Sequence, residues 1–164
     1  MAAERAKLVI NKILPVLVLG LIAGRAMAEN PMQAMFPGKA GCYARSYNAS
    51  HLAKHPEQLV TNLAIVADAS IADPMLGLWI GADLRGDIAG HYEGYAYCET
   101  AGGSLSCGME GDAGSFTVSS DKDGNILIEV GRYGMSFEGA VDFITLKADR
   151  GDDRSFILNP APCG

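Results

Sequence analysis

The first 28 residues of this 164-residue chain have the composition of a targeting segment, and the remaining 136 residues are a length that suits one domain. Those 136 residues carry 9 basic and 18 acidic side chains, a formal charge of −9. A surface this acidic repels nucleic acid and anionic lipid, and it favours basic partners.

Residues 1–28 have the three parts of a secretory signal peptide. Three basic side chains lie in the first twelve residues, an apolar run follows over 13–24, and positions 26–28 read Ala-Met-Ala. An apolar run of twelve residues is too short to cross a bilayer, which takes about 20. We therefore expect a bacterial protein exported through a Sec-type signal to the periplasm or secreted, with no membrane span after cleavage.

The next part of the chain alternates short ordered segments with turns. Residues 29–41 contain two prolines and two glycines without a hydrophobic period, which predicts an irregular lead-in. Residues 75–85 alternate cleanly between apolar and polar or small side chains, as a strand with one buried face does. The elements predicted between these two segments are a strand over 42–47, a short helix over 51–54 and a strand over 59–67.

Residues 91–111 predict a β-hairpin closed by its own disulfide. Gly102-Gly103 is a two-residue turn in which both residues accept a positive φ. With that turn, Cys98 lies opposite Cys107 as a non-hydrogen-bonded pair, whose Cα atoms are about 4.5 Å apart, within disulfide range. The register also assigns an inner and an outer face to each neighbouring strand.

Beyond the hairpin, the register follows from the burial of one face. A three-residue loop with Gly124 in the left-handed region sets Val118 opposite Ile128, so we predict this loop rather than a two-residue one. The segment 131–134 begins and ends with glycine and predicts a further turn between two strands. The last predicted strands cover 143–148 and 154–159.

All four cysteines follow the signal segment, and an even count in an exported chain indicates a disulfide framework. With Cys98 and Cys107 paired, Cys42 and Cys163 remain, and they would tie the first strand to the last. A disulfide that closes a loop of this length stabilises the folded state by up to about 4–5 kcal/mol in the chain-entropy model. No C-x-x-C occurs, so a zinc site built from the cysteines is not expected.

These elements predict an all-β fold with eight to ten short strands in sequence order. Such an antiparallel meander closes into a small up-and-down β-barrel, fully or partly, because closure removes the free edges. A two-sheet sandwich is the alternative. The predicted organisation is a signal peptide (1–28), a lead-in (29–41) and a disulfide-bonded β domain (42–164).

His51 and His55 have the i, i+4 spacing that places two imidazoles on one helix face, where they can chelate a metal ion. A complete site needs further ligands, and Glu57 and His91 are the only obvious candidates. A solvated turn capped by Asn48 or Ser50 explains the same residues, so metal handling is kept as an alternative and no cofactor is expected.

The outward face of the hairpin carries the residues that we expect to contact a partner. Tyrosine is enriched at interfaces, and carboxylates steer a basic partner. The competing interpretation is that the aromatic rings only pack along the sheet surface. The candidate partner-binding residues are Tyr95, Tyr97, Glu93, Glu99, Glu110 and Trp79.

The sequence shows no arrangement that predicts catalysis. Residues 134–138 miss the G-x-S-x-G elbow by one position, and they lie between strands rather than before a helix. Carboxylates on the outer face of a hairpin would be solvated, which suits general acid–base chemistry poorly. We therefore do not expect an enzyme.

Two segments resemble uncharacterised secreted proteins of proteobacteria. The head reads CYARSY over 42–47 and HLAKHPEQ over 51–58, and the tail reads GDDRSF over 151–156 before Cys163. The resemblance covers most of the chain after the signal segment. That family has no assigned activity, so the resemblance implies export and the pairing of Cys42 with Cys163.

The leading functional hypothesis is an exported, non-enzymatic binding protein of the periplasm that recognises a basic protein. An inhibitor-like role is suggested by analogy with small acidic, disulfide-bonded barrels that inhibit lysozyme or proteases. The alternative is a lipocalin-like carrier of a small apolar ligand, which needs an interior cavity of roughly several hundred Å³. The sequence leaves the partner's identity and the oligomeric state open.

Overall fold

The computed structural model describes residues 30–149 and 151–163, so the predicted signal peptide lies outside the described residues. The described part is mostly β-structure, with three single-turn 3-10 helices and two short α-helices, α1 (Pro31–Met35) and α2 (Ala49–Lys54). The strands are β1 (Cys42–Ser46), β2 (Val60–Asp68), β3 (Leu76–Leu84), β4 (Gly90–Ala101), β5 (Ser104–Met109), β6 (Gly114–Ser120), β7 (Ile126–Gly139), β8 (Phe143–Leu146) and β9 (Ser155–Ala161).

Eight of these strands close into an antiparallel barrel. Each strand from β1 to β7 pairs with the next, and β9 completes the ring between β7 and β1. β8 pairs with the second half of β7 and adds a short flap beside the ring. The predicted all-β, up-and-down barrel is confirmed, with β8 as the departure from a simple meander.

The alternating pattern of β3 explains why the ring closes around an apolar interior. Leu76, Leu78 and Ile80 are at most 1% exposed, and Trp79 between them faces outward. Burial of one face fixes the register of each neighbour, because a one-residue slip would expose every apolar side chain. The predicted three-residue loop after β6 is confirmed, since Val118 lies opposite Ile128.

The lead-in differs from the prediction, because it contains a helix that covers part of the core. The Asn30 side chain caps α1 by accepting the backbone N–H of Met32 at 3.0 Å. Met32, Met35 and Phe36 are at most 4% exposed and belong to the barrel's buried cluster. Five residues are too few to show a helical period, which is why the pattern appeared irregular.

Both predicted disulfides are present. Cys98 lies opposite Cys107 with a Cα–Cα distance of 4.1 Å, and Cys163 is joined to Cys42 at the start of β1. Of the two turn glycines, Gly102 has a left-handed φ of 62°. A positive φ at the first central residue is the pattern of a type II′ hairpin turn.

The prediction of a turn over 131–134 is wrong, because strand β7 continues through these four residues. The first half of β7 lies between β6 and β9, and its end pairs with β8 and with β4. The four residues form a bulge: Val130 pairs with Phe116, whereas Met135 pairs with Gly114. This extension brings the end of β7 beside β4.

Candidate functional site

A groove of about 840 Å³ opens on the outer face where β4 meets the end of β7. It forms because β4 changes its partner at Gly94 and Tyr95. Before them β4 pairs with β7, and from Ala96 onward it pairs with β5, so the two neighbours diverge. The chemically distinctive residues that line this β4–β7 groove are Trp79, His91, Glu93, Glu110, Glu138 and Phe143.

The central feature of the groove is a pair of carboxylates. Glu93 on β4 lies directly opposite Glu138 on β7, and Phe143 on β8 lies opposite Glu138 in turn. Directly opposed residues have Cβ atoms about 4.5–5.5 Å apart, and like charges in such positions destabilise the strand pair. The two carboxylates therefore place negative charge on both strands at this point of the groove.

His91 connects the carboxylate pair to β3. Its Nδ1 lies 2.7 Å from Oδ1 of Asp83, and its Nε2 lies 3.6 Å from Oε1 of Glu93. The hydrogen bond with Asp83 raises the pKa of His91 and lowers the pKa of Asp83. Protonated His91 offsets part of the negative charge at Glu93, and neutral His91 does not.

An aromatic row follows the same outer face, formed by Trp79, Tyr95 and Tyr97. The Tyr95 ring contacts both neighbours edge to face, at centroid distances of 4.5 and 5.1 Å. Its hydroxyl donates a hydrogen bond to Oδ2 of Asp68 at 2.8 Å. Burial of the hydroxyl is the larger cause that raises the pKa of Tyr95, and the hydrogen bond with Asp68 raises it further. Tyr95 is 9% exposed and Trp79 is 54% exposed, so Trp79 offers the larger contact surface.

The groove brings together part of the predicted partner-binding set and adds residues that the sequence did not suggest. Glu138 and Phe143 were missed because the expected turn at 131–134 placed the end of β7 away from β4. The alternation of apolar and polar residue types over positions 135–138 was the signal in the sequence for an outward Glu138. Of the predicted set, Trp79, Glu93, Tyr95 and Glu110 line the groove, whereas Tyr97 and Glu99 lie outside it.

His51 in α2 and His55 at the C-terminal cap of this helix stack on each other. Asn48 caps the helix as predicted, by accepting the His51 N–H at 2.9 Å. The two rings are 4.4 Å apart and 23° from parallel, and His51 Nε2 lies 3.0 Å from Gln58 Oε1. In the part of the chain that the structure describes, no group of three or more His, Cys, Asp or Glu residues could hold a metal ion.

The inside of the barrel holds the apolar side chains that the sequence placed there. Each is at most 2% exposed, and together they belong to one packed cluster. A ligand carried inside the barrel would have to displace them. These interior side chains are Leu76, Leu78, Ile80, Phe116, Ile128, Phe137 and Leu146.

Fold and site together define a small acidic β-barrel with two disulfides and a carboxylate-rich outer groove. No protein-family model, curated protein or solved structure matches the chain. The disulfides are typical of an oxidising, extracytoplasmic compartment. No helix between residues 30 and 163 is long and apolar enough to cross a membrane.

Proposed function

We propose that this protein is an exported, non-enzymatic binding protein of the periplasm that recognises a basic protein through the β4–β7 groove. The observation that carries the proposal is the direct opposition of Glu93 and Glu138 beside the exposed ring of Phe143. Export is supported by the signal-like composition of residues 1–28 and by the two disulfides.

Charge and shape favour a protein partner over a small apolar molecule. The formal charge of −9 on residues 29–164 steers a basic partner toward the surface and speeds the encounter. Trp79 and Phe143 are both more than half exposed at the groove, and aromatic side chains are enriched at protein interfaces. The groove therefore offers apolar contact and negative charge together.

Affinity capture from a native envelope extract tests this proposal. The bait variant E93Q/E138Q removes both charges and preserves the size of the side chains. The matched control, E57Q/E129Q, makes the same change in charge at exposed positions outside the groove. We expect a basic protein that is recovered by the wild type and by the control and is lost with E93Q/E138Q. Equal recovery by all three baits would contradict the proposal.

An inhibitor-like role makes a further demand on the captured partner. It must be an enzyme whose turnover falls as this protein is added up to one equivalent. The same addition of E93Q/E138Q should leave the turnover unchanged. If the turnover of the captured partner does not fall when this protein is added, the inhibitor-like role is excluded and the binding role is retained.

A further inference from the structure

We infer that the β4–β7 groove recognises an arginine side chain of its partner, held with its guanidinium at the carboxylate pair of Glu93 and Glu138. This inference rests on the proposed function and specifies its chemistry. It follows from three features of the groove: the opposed carboxylates, the aromatic rings on either side of them and the charge of the groove lining.

The carboxylate pair matches the donor pattern of a guanidinium. Glu93 and Glu138 occupy directly opposed positions on neighbouring strands, and both side chains are exposed in the groove. Guanidinium presents five N–H donors in a fixed fork, and it pairs with carboxylates through two parallel hydrogen bonds. A lysine ammonium is a compact point charge without this planar fork, so it cannot form the two parallel hydrogen bonds.

Exposed aromatic side chains lie on the two strands that flank the carboxylate pair. In the order β3, β4, β7, β8, Trp79 lies on the first strand and Phe143 on the last, with Glu93 and Glu138 between them. Trp79 is 54% exposed and Phe143 is 59% exposed. Guanidinium stacks on such rings and is more weakly hydrated than ammonium, which favours arginine again.

The negative charge of the groove lacks a permanent internal counter-charge. Glu110 adds a third carboxylate, and the residues that line the groove include neither lysine nor arginine. His91 is the one titratable base among them, and it is already hydrogen-bonded to Asp83. An incoming guanidinium therefore supplies the charge that the lining lacks.

Titration with three capped tripeptides tests the inference on the purified protein. The probes are acetylated and amidated Gly-Arg-Gly, Gly-Lys-Gly and Gly-citrulline-Gly, and binding is followed by the NMR signal of the Trp79 indole. We expect the arginine peptide to bind about two- to fivefold more tightly than the lysine peptide, and the neutral citrulline peptide to show no saturable binding. E93Q/E138Q should abolish the response, and E57Q/E129Q should retain it.

The outcomes separate this inference from the proposed function. Equal binding of the arginine and lysine peptides, or binding of the citrulline peptide, would overturn the arginine preference even where envelope capture depends on the groove. Displacement of the arginine peptide by an equal concentration of calcium would also overturn it, by assigning the pair to a metal ion. Preference for arginine without groove-dependent capture of a protein would instead count against the proposed function. The comparison of peptides on the wild type decides the question even where a variant fails to fold.

Discussion

At the scale of single residues, a glycine makes the aromatic row possible. A Cβ built on Gly77 would overlap Oη of Tyr95 and would lie 2.8 Å from Cγ1 of Ile71. The absence of a side chain at position 77 therefore forms the slot in which the Tyr95 ring lies. This explains how an outward-facing tyrosine becomes buried on the surface of the barrel.

Replacing this glycine should destabilise the fold by expelling Tyr95 from its slot. We expect Gly77→Ala to lower the free energy of unfolding by about 1–3 kcal/mol, the usual cost of overpacking. Urea denaturation measures the loss. Gly108→Ala is the matched control, because a Cβ at Gly108 has no atom within 4 Å. Similar losses for the two variants would show that the slot is not the cause.

The His91–Asp83 pair predicts a pH dependence with a defined sign. The pKa of His91 is raised above 6.5 by its hydrogen bond with Asp83, and that of Asp83 is lowered by the same bond. The stabilisation from His91 is fully present below pH 6.5 and is lost as the pH rises through its raised pKa. The stabilisation from Asp83 is lost only as the pH falls through its lowered pKa. The pair thus acts between these two pKa values.

NMR titration of the imidazole signals measures this effect directly. We expect the pKa of His91 to lie above 6.5 in the wild type and to move down toward that value in Asp83→Asn. Asp87→Asn, at an exposed position on the turn after β3, should leave the pKa of His91 unchanged. A His91 pKa that is the same in Asp83→Asn and in the wild type would remove Asp83 as the cause.

At the scale of elements, the sequence predicted pairing well where one face of a strand is buried throughout. Cys98 opposite Cys107 and Val118 opposite Ile128 both follow from that rule, and both are observed. The rule failed at 131–134, where two glycines are compatible with a turn and with a bulge alike. The choice depends on a distant partner, because a Cβ at Gly131 would meet Ser115 on β6.

That one ambiguity determined how much of the site the sequence could reveal. A turn at 131–134 keeps β7 away from β4, so the opposition of Glu93 and Glu138 cannot be derived from local patterns. The outward positions of Trp79 and Glu93 could be predicted from the alternation of side chains within their own strands alone. Predicting the groove would have required the position at which β4 changes its partner from β7 to β5. That position is a property of the closed barrel.

The start of β2 shows another departure from simple alternation. Simple alternation along the predicted strand over 59–67 would place Leu59 on the same face as Leu63, yet Leu59 is 37% exposed and Val60 is fully buried in its place. A register shift between Val60 and Asn62 produces this change. The carboxylate of Asp153 fixes the shifted strand, because it accepts the backbone N–H groups of Leu59 and Val60 at 2.6 and 3.1 Å.

Loss of the Asp153 carboxylate should therefore free the start of β2. We expect Asp153→Ala to lower the free energy of unfolding by about 2–3 kcal/mol, because a buried and a partly buried N–H donor lose a charged acceptor. Asp153→Asn retains one oxygen and should cost less. Urea denaturation and amide hydrogen exchange at positions 59 and 60 measure the two effects. Asp149→Ala, at an exposed position between β8 and β9, is the control. An equal loss of unfolding free energy in this variant would contradict the role of Asp153.

At the scale of the whole molecule, the barrel has one short seam. β1 and β9 are joined by three residue pairs, fewer than any other two neighbouring strands of the ring. One of the paired residues is Pro160, which has no N–H to donate. The Cys42–Cys163 disulfide lies at this seam, so a covalent bond supports the place where the backbone ladder is weakest.

The two disulfides should therefore differ in what their removal does. Cys42 and Cys163 are 121 residues apart and Cys98 and Cys107 are 9 apart. We expect C42S/C163S to lower the free energy of unfolding by about 4–5 kcal/mol and C98S/C107S by about 2–3 kcal/mol, since chain-entropy loss grows with loop length. Hydrogen exchange should accelerate first in β1 and β9 of C42S/C163S, while the hairpin of C98S/C107S opens locally. A smaller loss for C42S/C163S than for C98S/C107S would mean that the seam is held by side-chain packing, with α1 and the interior cluster closing the barrel on their own.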